Sequence, residues 1–388
     1  MKIYTKTTRI AISALLCLAV IASLAACAEK SGGESTNTPT PTTASGSQTA
    51  PATAGTTNAP IADEPKAPFI IRAAAGSSPD LRVADTLGFF ADEGIQIEWV
   101  GDTAAGISPF QLLEQGILDL TSSHPPAIAE AYLAGVDVKV IAPGAVDNEK
   151  LPHVYYLVRN DSEIKEFSDL TGKKVGIASS TAPCMDGFVK YIADGAGVDW
   201  HTIDFVVLPE PGQEEQALIN GQIDMTTSHG EAAIAAIETG EVRLIADTWD
   251  VFASEGTGLS PVVVLQSFVD ENPDVVQGLV NALYRARLWA RDNTWSEDDP
   301  NDWHAAYSTL MTDVHRDRGT TIEGGFRPVW YTAEKNTPID WLRQWFDIAE
   351  IAGTWKHGDI VPEDILCNDF VPEDAPVSDK EISYTSKY

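Results

Sequence analysis

The chain has 388 residues, and its 57 acidic against 26 basic side chains leave a net charge of -31 at pH 7. Such an acidic balance argues against nucleic acid or an anionic membrane surface as a partner. Four cysteines, none clustered at metal-ligand spacing, give no sign of a cysteine-built metal site.

In chain order, the first segment reads as a secretory signal over residues 1–26. Lys2, Lys6 and Arg9 precede an apolar run from Ile10 to Ala22, too short for a well-flanked spanning helix. The run ends in Leu24-Ala25-Ala26-Cys27, which resembles a bacterial lipobox and implies cleavage before Cys27 and lipidation of its thiol. Removal of the signal takes three basic and no acidic residues, so the net charge falls to -34. Residues 27–68 then read as the lipidated cysteine and a disordered linker. The stretch is Ser, Thr, Pro, Ala and Gly with scarcely a large apolar residue, too little to offset the entropy of ordering. About 40 such residues span on the order of 35 Å as a coil. The expectation is a lipid-anchored protein on a cell surface, Gram-positive in character, with the membrane touched only through the anchor.

From Phe69 onward the pattern alternates short apolar strands with helices. Phe69-Ile70-Ile71 reads as a strand, Asp80 to about Phe90 as a helix, and Ile95 to Val100 as an alternating strand. Ser108, Pro109 and Gln111 form an S-x-x-Q start for a helix that stops at Gly116, and Ile117-Leu118-Asp119-Leu120 is the next strand. Strand–helix–strand alternation over about 320 residues predicts parallel sheets with right-handed crossovers, divided between two lobes.

Residues 110–135 (FQLLEQGILDLTSSHPPAIAEAYLAG) and 215–240 (EQALINGQIDMTTSHGEAAIAAIETG) repeat each other without gaps, pairing Gly116 with Gly221, Asp119 with Asp224, Ser123 with Ser228 and His124 with His229. Each copy reads as helix, glycine stop, short strand, Ser-His turn and second helix. A looser echo pairs Ser77-Ser78 with Ser179-Ser180. In open parallel sheets ligands bind outside the carboxyl ends of the strands, where helix N-termini offer unpaired N–H groups. The candidate ligand contacts are therefore Ser77, Ser78, Ser123, His124, Ser179, Ser180, Thr181 and His229, with Trp249 at a later strand end. Plain N-capping is the competing role for each hydroxyl. The two histidines either contact ligand, donating a hydrogen bond or carrying charge below about pH 6.5, or serve structure. Without a third ligand they make a weak metal case that Glu210 or Glu231 would have to complete, and the expectation is no metal, no cofactor and no catalytic residue. Arg72 or Arg82 would supply a counter-charge for an anion. The C-terminal tryptophans, with Trp341 and Trp345 at helical spacing, read as core.

The run Gly88-Phe89-Phe90-Ala91-Asp92-Glu93-Gly94 resembles the GFF-x-x-EG segment of nitrate/sulfonate/taurine-type ABC transporter solute-binding proteins. Gly116–Asp119 and Gly221–Asp224 are similar to that family's G-x-x-D strands, Ala134–Val140 to AG-x-x-VKV, and Asp169–Gly176 to DL-x-GKKVG. His229-Gly230-Glu231 departs from the aromatic-Glu-Pro that relatives often carry. The resemblance implies an α/β, type II periplasmic-binding-protein-like fold, each lobe a mostly parallel sheet flanked by helices. One lobe is expected over 69–158 plus 251–388 and the other over 159–250, with crossings near Arg159 and Val251. A Cys184–Cys367 disulfide between lobes would restrain the hinge, so both thiols read as unpaired. The implied function is capture of a small anionic or polar organic solute (sulfonate, nitrate or carboxylate) by lobe closure, for delivery to an ABC permease and ATPase by a monomeric receptor. A pyrimidine-type ligand, or sensing without transport, stands as the alternative. Relatives that make the thiamine pyrimidine carry a cysteine-rich segment, of which only Pro183-Cys184-Met185 is present here, so no enzyme is expected.

Overall fold

The computed structural model describes residues 67–74, 78–100, 108–147, 149, 152–179, 184–210, 212–252, 259–294, 305–317 and 334–372. The signal, Cys27 and the linker up to residue 66 lie outside them, as do Ser77, Ser180 and Thr181. None of the described helices is long and apolar enough to cross a membrane.

Two sheets of matching topology organise the chain. In the first, β1 (Phe69–Ala74) pairs parallel with β2 (Ile95–Val100), and Ala73 bridges in parallel to Leu120 just before β3 (Thr121–Ser122). Strand β10 (Val262–Leu265) runs antiparallel between β3 and β4 (Val138–Ala142). In the second, the order is β7 (Asp204–Val207), β6 (Lys174–Ile177), β8 (Met225–Ser228), β5 (Tyr155–Arg159), β9 (Val242–Asp247), with only β5 antiparallel to its neighbours. Strand β5 alternates Tyr156 and Val158 into one core with Tyr155 and Leu157 into another, so both faces of the sheet are covered, as a buried α/β sheet requires.

The repeat is a structural one, and its conserved-looking spacing has a mechanical reason within this chain. Gly116 and Gly221 adopt φ of 65° and 69°, the left-handed turn that ends each first helix at no steric cost. Asp119 then accepts the backbone N–H of Arg72 at 2.8 Å, and Asp224 that of Lys174 at 2.8 Å. Each aspartate pins its turn to the adjacent parallel strand, so the two Ser-His turns emerge at equivalent ends of the two sheets. The helix expected from Asp80 to Phe90 is broken instead into Pro79–Thr86 and Phe89–Asp92, because Gly88 takes φ 79° between them.

The antiparallel strand in each sheet is the one that arrives from the other lobe. Parallel strands run toward the cleft, so a chain crossing the cleft must run away from it. Strand β5 is hydrogen-bonded into the second sheet, between β8 and β9. The two crossings touch: Leu259 N donates to Ala145 O at 2.7 Å, and Thr248 Oγ1 accepts from the N–H groups of His153 and Val154 at 2.9 and 3.2 Å. A Cβ built on Gly144 would meet Ser260 O at 2.2 Å. Gly144→Ala is expected to force the crossings apart and cost about 1–3 kcal/mol, read as a lower urea midpoint at unchanged slope; an unchanged midpoint would disprove this tight contact.

Most C-terminal helices cover the first sheet, but helix Ile339–Ile351 reaches both lobes. Trp345, fully buried, stacks on Phe188 of the second lobe at 4.7 Å between ring centroids and meets His124 of the first edge-on at 5.4 Å. One apolar cluster thus runs through both lobes by way of these rings.

Candidate functional site

At the mouth between the sheets, three imidazoles and a thiol converge. His124 precedes helix Pro125–Leu133 at the end of β3, and His229 precedes helix Gly230–Glu238 at the end of β8. His153 stands two residues before β5. Because β5 starts at the cleft, and Tyr155 pairs with Ser228, His153 falls beside both repeat histidines. His124 Nε2 and His153 Nε2 are 3.4 Å apart, the rings of His153 and His229 meet edge-to-face at 4.9 Å, and Cys184 Sγ lies 3.8 Å from His229 Nε2. One wall comes from the first lobe, one from the second, and His153 from the crossing between them.

The surroundings hold these groups in place. Asp147, buried, accepts His153 N–H at 2.6 Å. The Tyr156 hydroxyl is buried without a hydrogen-bond partner, and its pKa is pushed well above the usual phenol value, first by burial and then by Asp147, Cys184 and Asp247. His124 keeps a solvent-reachable edge yet is packed on most sides, and burial pushes its pKa down to about 4. It is therefore a neutral imidazole at pH 7, and burial keeps it neutral well below pH 6.5. Behind β8, Ser228 donates to Glu215, while burial beside Glu215 raises Glu214 to about 8, so Glu214 holds a proton at neutral pH.

The hydroxyl-rich turns behave differently from expectation. Ser78 is buried, makes no side-chain cap bond to its helix, and its N–H is taken by Ser122 Oγ at 2.7 Å. The turn after Ser123 opens on Pro125-Pro126, which have no N–H, and Ala127 and Ile128 donate back to His124 O. This helix start offers no backbone donors to an anion; what it presents is the imidazole. Ser123 and Ser179 are partly buried at their strand ends, while Trp249 lies partly buried in the short helix Thr248–Phe252 on the second crossing. Neither arginine considered as a counter-charge points to the nest: Arg72 forks onto Asp119, with 2.8 and 2.5 Å contacts, and Arg82 stacks 3.3 Å over the Trp99 ring. Cys184 and Cys367 are both buried, and neither is in a disulfide.

The sequence reading missed His153, Cys184 and Trp345 as parts of this site. For His153 a signal existed in principle, since a strand entering from the other lobe must begin at the cleft.

Against known families, residues 79–294 match the model described as NMT1/THI5 like, more than half of the chain. The chain belongs to the NMT1/THI5-like family. Its fold is the periplasmic-binding-protein fold. The sulfonate-binding protein of a putative sulfonate ABC transporter from Methylobacillus flagellatus superposes with a TM-score of 0.58 at 18% identity, over 78% of this chain and 93% of that one. The periplasmic aliphatic sulphonate binding protein of Escherichia coli gives 0.56 at 18% identity, over 83% and 97%. In sequence the chain is also 27% identical, over 60% of its length and 74% of the relative's, to a 2'-hydroxybiphenyl-2-sulfinate desulfinase of Rhodococcus erythropolis.

Proposed function

We propose that the protein is the extracytoplasmic solute receptor of an ABC importer, tethered through lipid on Cys27 and the linker that follows. Its two lobes, divided near the crossings at 143–154 and 248–261, close on a small anionic or polar organic solute of the sulfonate, nitrate or carboxylate class. The observation that carries this reading is the convergence of equivalent Ser-His turns from both lobes, with His153, on one point of the cleft. A ligand there bridges the lobes and so favours the closed state by its extra contacts. Recognition rests on the groups that line the cleft, His124, His153, His229, Ser123 and Ser179, and not on Arg72 or Arg82. A receptor reading is preferred over catalysis because the two-lobed symmetry of the site suits grip and release.

The test is a thermal-shift panel of sulfonates, nitrate, carboxylates and pyrimidines on the full chain, followed by recovery of the added compound. A compound at about 100 times its dissociation constant stabilises by about 2.7 kcal/mol. The expected result is a shift confined to one class, lost in His124→Ala and His229→Ala, with the compound recovered chemically unchanged. Conversion of the compound would replace the receptor by an enzyme, and shifts unaffected by both variants would remove the site.

A further inference from the structure

We propose that the cleft binds a divalent transition-metal ion of zinc type, held by Nε2 of His124, Nε2 of His153 and Sγ of Cys184. The three ligand atoms all lie within 4.8 Å of one another. In a tetrahedral zinc site, with arms of about 2.0–2.1 Å to nitrogen and about 2.3 Å to sulfur, neighbouring nitrogens stand about 3.3–3.4 Å apart and nitrogen and sulfur about 3.5–3.6 Å apart. The observed His124–His153 separation of 3.4 Å matches the first value, and Cys184 Sγ lies within 4.8 Å of both nitrogens.

The ligand types agree with the geometry. Two imidazoles and a thiolate suit zinc, cobalt(II) and copper, and disfavour magnesium or calcium, which take oxygen. Two of the ligand-bearing residues are held in place: Asp147 and Thr248 fix the backbone of His153, and Trp345 packs edge-on against the His124 ring. Binding converts the Cys184 thiol to a thiolate and releases its proton to solvent, while the imidazoles bind through lone pairs. The bound unit carries +2 from the ion and −1 from the thiolate, a net +1. That is the positive charge that neither Arg72 nor Arg82 brings to the nest. Three protein ligands leave the fourth position of a tetrahedral ion to an anionic group. The proposal rests on the reading of this cleft as the ligand site and names what anchors the ligand there. The bare sequence offered no such set, because Cys184, His153 and His124 are contributed by the second lobe, the crossing and the first lobe.

The experiment strips the full chain with a chelator and titrates it with Co²⁺ and Zn²⁺. One ion per chain is expected, with the visible bands of tetrahedral Co²⁺ and a near-ultraviolet thiolate-to-cobalt charge-transfer band. Cys184→Ser is expected to abolish the charge-transfer band while keeping the fold, and His124→Ala and His153→Ala to weaken Zn²⁺ by about 100-fold or more. His201→Ala, an exposed histidine paired with Asp199, serves as a control and should leave binding unchanged. Zinc should also protect Cys184 from alkylation. Substoichiometric uptake, or a charge-transfer band that survives Cys184→Ser, overturns the metal site. If the stripped chain then still shows the solute-dependent thermal shift, the receptor reading stands without the metal; if it shows neither, both fall.

Discussion

Arg287→Leu is expected to lower the unfolding free energy by about 3–5 kcal/mol, the range for breaking a buried charge pair from one side. Arg287 is 1% exposed on helix Pro273–Thr294 and donates to Pro143 O at 2.9 Å and Glu334 O at 3.2 Å. Its guanidinium also pulls down the pKa of Asp80, which is 0% exposed. Burial is the larger influence, so the Asp80 pKa remains above the usual carboxylate value. A folded-state pKa raised above the unfolded one means that the folded chain holds the proton more tightly; the stability is present at low pH and is lost as pH rises through the folded value. Without Arg287 that pKa rises further, so the penalty should be least near pH 4 and grow toward neutrality. Chemical denaturation at pH 4.5 and 7.5 checks the trend, and Asp80→Asn in the Arg287→Leu background should restore part of the loss. A pH-independent penalty would mean that only the carbonyl bonds to the first crossing mattered.

Trp345→Ala is expected to cost about 3–5 kcal/mol, as for other buried aromatic truncations. The cost has two sources. The indole is fully buried, and it is the ring through which the first lobe meets Phe188 of the second. Trp345→Phe, which keeps an aromatic face, should recover more than half of the loss. Because Trp345 also packs against the His124 imidazole, the alanine variant should weaken ligand binding beyond what destabilisation explains, measured under conditions where the variant remains folded. Unaltered binding at full folding would reduce Trp345 to core alone, which is the role its spacing with Trp341 suggested.

Much of this architecture is legible in the chain itself. The G-x-x-D segments identify two copies of one unit, since Asp119 and Asp224 each fasten a turn to a neighbouring strand through a backbone N–H. The glycine turn and the aspartate that follows it need fixed spacing for that bond to form, and fixed spacing is visible in sequence even though the strand it reaches lies 47 or 50 residues away. The Ser-His turns follow from it, and so do the positions of His124 and His229. The crossing strands are less legible. Tyr155–Arg159 is an apolar run like any other, and nothing in its own residues says that it pairs with Met225–Ser228, some 70 positions away, rather than with the first sheet. The donors at the strand ends were also misjudged from sequence. Whether Ser78 N–H faces a ligand or Ser122 is decided by how two turns pack.

The sequence by itself determined the class of fold, the doubling of the α/β unit and two of the three histidines, because periodicity, glycine turns and repeat spacing are local properties of the chain. Only the tertiary structure decided that His153, Cys184 and Trp345 join them, that Arg72 and Arg82 are engaged elsewhere, and that His124 is uncharged. Those outcomes depend on which distant segments exclude water from one another, and burial of that kind is a property of the assembled lobes rather than of any stretch of residues.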